Sequence, residues 1–136
     1  GVIKMATYNL FISHAWHRNE HYNRIVEWLD NSIILWRNYS VPEHDPLDAN
    51  NASKLKAALT EQIRHASAVI ILAGMYANYS GWIDYEIDEA VRMGKPIIAV
   101  EPWGQERIPY KISSCATVIV GWNSSSVINA IRMYAC

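Results

Sequence analysis

Ala68-Val69-Ile70-Ile71-Leu72 is the stretch that decides the fold. It is a short, unbroken apolar run rich in β-branched residues, with no polar alternation, and so reads as a strand buried on both faces. Strands of that kind belong to parallel sheets. Toward the carboxyl end the pattern recurs in Pro96-Ile97-Ile98-Ala99-Val100 and Thr117-Val118-Ile119-Val120. Toward the amino end it is matched by Tyr8-Asn9-Leu10-Phe11-Ile12-Ser13 and Ile33-Ile34-Leu35-Trp36.

Helical periodicity fills the intervals. Tyr22, Ile25, Val26 and Leu29 share a face behind a cap at Asn19, and Leu55, Ala58, Leu59 and Ile63 share one behind Asn51 or Ser53. Met75 to Gly81 reads as a loop rich in Tyr and Asn, and Trp82 to Met93 as a helix stopped by Gly94, with Pro96 just behind. Ser124 to Ser126 start a last helix that offers Val127, Ile128, Ile131 and Tyr134 for packing. This alternation predicts an α/β domain, a five-stranded parallel sheet with helices on both faces and right-handed crossovers.

The 136 residues allow one domain with a real core. A net charge of −1 argues against a nucleic-acid or membrane-surface partner. No apolar run approaches the roughly 20 residues of a membrane span, and no signal peptide opens the chain. Cys115 and Cys136 form no metal or redox motif, so a reducing, cytoplasmic setting is expected. Gly1–Lys4 precede Met5, which is read as the natural initiator, with the first four residues an expression remnant. Six Trp and eight Tyr against one Phe are a surplus of rings with polar tips, suited to the walls of a half-wet pocket as well as to core and rim.

In such sheets ligands bind beyond the carboxyl ends of the strands, where Ser13–Arg18, Arg37–Asp48, Gly74–Trp82 and Glu101–Pro109 converge. The loop from Asn38 to Ala52 is longer than a mere connection needs. Phosphate-binding glycine motifs are absent, as are H-E-x-x-H, a His–Cys cluster and the G-x-S-x-G elbow, so no metal, dinucleotide fingerprint or hydrolase triad is expected. The informative stretch is Tyr79-Ser80-Gly81-Trp82-Ile83-Asp84-Tyr85-Glu86-Ile87-Asp88-Glu89. Ile83, Ile87, Ala90 and Val91 face the sheet, and Asp84 and Glu86 sit at opposite edges of that face, so periodicity leaves the choice of acid open. Trp82, one turn before Glu86, is placed to cover it and singles it out. Asp84 is expected to matter less. An acidic, solvated first turn is the alternative reading of the same residues.

These residues resemble the TIR-like domains of bacteria, in particular the Thoeris antiphage-defence type, with a flavodoxin-like fold. The resemblance rests on Asn9-Leu10-Phe11-Ile12-Ser13-His14, Val69-Ile70-Ile71-Leu72, Ser80-x-Trp82-x-x-x-Glu86-Ile87 and Gly94-Lys95-Pro96-Ile97-Ile98. It implies a single TIR-like domain over residues 5–136 that cleaves the nicotinamide–ribose bond of NAD, releasing ADP-ribose or a cyclic or conjugated form as an immune signal. Glu86 corresponds to the catalytic glutamate. Ser13, His14 and Trp16 after the first strand, and Ser40 and Asp45 after the second, would complete the pocket. The second loop, Asn38-Tyr39-Ser40-Val41-Pro42 and Asp45-Pro46-Leu47, departs from the animal and plant pattern. Chemistry agrees with a single acid: nicotinamide leaves a cationic pyridinium as a neutral molecule, so one ionised carboxylate suffices. Trp82 would stack on a base, and Arg18 would meet the diphosphate. NAD is substrate, not cofactor. The resemblance also implies self-association and a separate effector that senses the product. Two alternatives stand: a nucleoside deoxyribosyltransferase-like enzyme and a non-catalytic assembly domain.

Overall fold

The computed structural model describes residues 7–13, 20–40, 49–101 and 107–135. The sheet has five parallel strands: β1 (Thr7–Ile12), β2 (Leu35–Asn38), β3 (Ala68–Leu72), β4 (Ile97–Val100) and β5 (Val118–Val120), in the order β2-β1-β3-β4-β5. The helices are α1 (Glu20–Asp30), α2 (Ala49–His65), α3 (Tyr76–Arg92), α4 (Tyr110–Cys115) and α5 (Ser124–Tyr134), with a 3-10 turn at Ala73–Met75. Every residue of β3 and β4 is buried, as their unbroken apolar runs require.

Strand alternation divides the core in two. Leu10 and Ile12 of β1 face α1 and α5, where Tyr22, Ile25, Leu29, Val127 and Ile131 pack. Phe11 faces the other side, under Leu55, Leu59 and Ile63 of α2, Ile83 and Ile87 of α3, and Ile112 of α4. Asn123 caps α5, its side chain accepting from the Ser126 amide at 2.8 Å. Gly94, at φ 68°, ends the turn after α3, where the Lys95 amide donates back to the Ala90 carbonyl at 2.8 Å.

Several local features differ from the sequence reading. Val91, expected to face the sheet, is 55 % exposed. β2 begins two residues late, because Ser32 prolongs the turn: its hydroxyl donates to the Leu29 carbonyl and accepts from the Ile34 amide, leaving Ile33 exposed. α2 starts at Ala49, ahead of both Asn51 and Ser53, since a run of helix-starting residue types specifies no unique first turn. The segment read as a loop from Met75 to Gly81 is largely helical, with a kink at Tyr79. α4 carries only one buried apolar residue, Ile112, too weak a periodicity to be read.

Candidate functional site

The strand order reverses between β1 and β3: the chain leaves β1 toward β2 on one side and returns through α2 to β3 on the other. The crevice outside the strand ends at such a point is where α/β sheets take ligands. β1 ends there in Ser13, whose amide donates to the Ile70 carbonyl of β3 at 2.8 Å and so extends the pairing by one residue. Ser13 lies two positions after Phe11 and therefore points to the α3 side.

On α3, Ile83, Ile87 and Ala90 are fully buried, and Glu86 between them is 0 % exposed. The Ser13 hydroxyl donates to Glu86 Oε1 at 3.2 Å, across 73 residues of chain. From the other side Ser40 Oγ accepts from the Ile12 amide at 3.1 Å, the bond that ties the segment after β2 to the end of β1. The Ser40 amide donates to Asn38 Oδ1, and Asn38 donates to the Tyr22 hydroxyl of α1 at 2.9 Å. Among the described residues, Ser13, Ser40 and Glu86 are the polar or charged residues that are buried; Glu86 bonds Ser13 and Ser40 bonds the Ile12 amide, both at the carboxyl end of β1. Removing the Ser40 hydroxyl leaves a buried amide without its acceptor. Ser40→Ala is expected to lower stability by about 1–3 kcal/mol, read from urea unfolding.

Trp82, one turn before Glu86, is half-buried against the α2–α3 core and lines an open hollow of ≈ 310 Å³ with Ala52, Lys56 and Gly81. Asp84 and Glu86, two of the four acids of the helix, have different surroundings. Glu86 is sealed in, whereas Asp84 is partly exposed and accepts from the Tyr76 hydroxyl at 2.8 Å. That bond to Asp84 raises the Tyr76 phenol above its ordinary value. Sequence reasoning missed this pair, because Tyr76 lay in a stretch read as loop.

The structure thus brings together Ser13, Ser40 and Glu86, with Trp82 a turn away. His14, Trp16, Arg18 and Asp45 lie outside the described residues, as do Met5 and Cys136. Cys115 is a free thiol. Among the described residues there is no group of His, Cys, Asp and Glu that could hold a metal ion, and no helix long and apolar enough to cross a membrane.

Two solved structures share the fold. The CMP N-glycosidase BcmB of Clostridium botulinum superposes with a TM-score of 0.58 at 16 % identity, covering 91 % of this chain and 98 % of that one. A 3-dehydroquinate dehydratase-like protein from Bifidobacterium longum gives 0.51 at 10 % identity, with 96 % of each chain covered. Neither likeness reaches beyond the fold. No curated protein matches the sequence significantly. Residues 11–107, from the last two residues of β1 past the end of β4, match the family described as Thoeris protein ThsB, TIR-like domain. The matched span contains Ser13, Ser40, Trp82 and Glu86, and the chain belongs to that family.

Proposed function

We propose that the chain is an enzyme of Thoeris antiphage defence that cleaves the nicotinamide–ribose bond of NAD, with Glu86 as the catalytic carboxylate. One observation carries this reading: a fully buried carboxylate, held by the Ser13 hydroxyl, at the point where the strand order reverses. A charge kept away from water is expensive, and such sites are retained where chemistry uses them. Opposite a sugar losing its base, the carboxylate meets positive charge growing on the anomeric carbon and stabilises it, by attraction or through the ribose hydroxyls. Low local dielectric strengthens that attraction. Ser13 fixes the carboxylate's orientation, and Trp82 offers a ring face to a planar base.

The identity of the leaving group favours NAD over a nucleoside monophosphate. Nicotinamide departs from a pyridinium as a neutral molecule and needs no proton. Both bases take the bonding pair with them, but cytosine would leave as an anion and is therefore helped by an acid, as in the two-carboxylate scheme of sugar hydrolysis. Among the described residues Glu86 is the single buried acid. The fold shared with a CMP N-glycosidase makes CMP the natural second substrate to try.

The test incubates concentrated protein with NAD, with CMP and with deoxynucleosides, and separates the products by chromatography. Free nicotinamide together with ADP-ribose, or with a cyclic or conjugated form of it, is expected from NAD alone. The accompanying product tells whether water, the adenine or another nucleophile captures the ribose. Cytosine released from CMP, with NAD left intact, would transfer the site to the nucleotide-glycosidase reading. Intact substrates at every protein concentration would leave a non-catalytic assembly domain.

A further inference from the structure

α3 is two helical segments rather than one. At Tyr79 the backbone leaves helical values (φ −137°, ψ 32°), directly ahead of Ser80-Gly81. Such a pair is a recognised origin of kinks. Gly81 adds no packing of its own, since a Cβ there would meet nothing within 4 Å. A side-chain bond spans the break: the Tyr76 hydroxyl, before the kink, donates to Asp84 Oδ1, after it, at 2.8 Å. The Tyr76 ring packs on the core cluster that contains Phe11 and Ile83, so the bond ties Asp84 to a fixed point. Asp84 stands midway between Trp82 and Glu86, two residues from each. Lys111 of α4, which donates to Asp88 one turn further on, faces the same side of the helix.

We propose that the Tyr76–Asp84 bond is a clasp that fixes the bend of α3 and thereby holds Trp82 and Glu86 in their places beside the carboxyl ends of β1 and β3, a positioning role that rests on the NAD-cleavage reading above. Asp84 acts here through Tyr76 and touches no reacting atom. It is an acceptor, so its charge is dispensable while its oxygen is not.

Four variants test this: Tyr76→Phe, Asp84→Asn, Asp84→Ala and the double Tyr76→Phe/Asp84→Ala. Two readouts are taken on each, hydrogen exchange of the amides of residues 76–82 and the kinetics of nicotinamide release. Tyr76→Phe and Asp84→Ala are each expected to speed that exchange about tenfold and to lower kcat/KM about tenfold, the scale of one hydrogen bond. The double variant does no worse than either single one, and Asp84→Asn, which keeps an accepting oxygen, stays near the parent. Unchanged exchange in Tyr76→Phe overturns the clasp, and so does a double variant in which the losses multiply. Faster exchange with kcat/KM untouched overturns the positioning role. An inactive but folded Asp84→Asn would make Asp84 a charged participant instead. If the parent protein leaves NAD intact, the catalytic reading falls, and the exchange data alone decide whether the clasp exists.

Discussion

Glu86→Gln is expected to lower NAD turnover by about 10³-fold, the scale seen when one preorganised electrostatic group is removed from a site. The neutral amide keeps the shape of the side chain and an oxygen that accepts from Ser13, while the charge and the second accepting oxygen are lost. The same substitution is expected to leave the protein folded, with Tm within about 4 °C of the parent. A carboxylate that is 0 % exposed costs desolvation energy, which offsets what its polar partners gain from its charge. The pairing of lost activity with retained stability separates chemistry from architecture. A purely structural staple between Ser13 and α3, which the amide oxygen preserves, would leave both Tm and turnover unchanged. Turnover and thermal melting measured on the same preparation decide between them. Full turnover by folded Glu86→Gln protein removes Glu86 from the mechanism.

Phe11→Ala is expected to have the largest effect on stability, a loss of about 3–5 kcal/mol. The side chain is fully buried on the face of β1 covered by α2 and α3, among Leu55, Leu59, Ile63, Ile83 and Ile87. Close-packed surroundings relax only partly around the missing ring, so a cavity adds to the lost transfer energy. Against a total of about 5–15 kcal/mol, this is a large fraction, and the expected fall in Tm is about 10–15 °C. Ile33, 74 % exposed in the turn before β2, is the control: alanine there should shift stability by about 0.5 kcal/mol or less. A Phe11→Ala protein that melts with the parent would mean that this half of the core is organised differently.

The central sheet was legible because burial on both faces leaves a one-letter signature. Ala68–Leu72 matches β3 residue for residue, and Ile97–Val100 lacks only the proline that precedes it. Edge strand β2 was misplaced because its apolar residues serve a turn as well as a strand: Ile34 is buried while Ile33 and Leu35 stand exposed. α3 was read short, since Tyr, Asn, Ser and Gly ahead of Trp82 favour turns locally, whereas packing of Tyr76 and Tyr79 on the core outweighs that preference. At the site, the choice between Asp84 and Glu86 was beyond periodicity, which places both at the edges of one face. The structure gives them different surroundings: Glu86 meets Ser13 inside the crevice, and Asp84 meets Tyr76 outside it. No spacing rule announces either bond, since both partners come from elements joined only by the fold or by a kink.

The most direct measurement is a crystal structure of Glu86→Gln protein with NAD bound. The nicotinamide riboside is expected at the carboxyl ends of β1 and β3, with ribose hydroxyls within about 2.6–3.2 Å of the residue-86 side chain and Ser13 beside it. A dinucleotide seated elsewhere, with residue 86 still enclosed and out of reach of the sugar, would contradict the account.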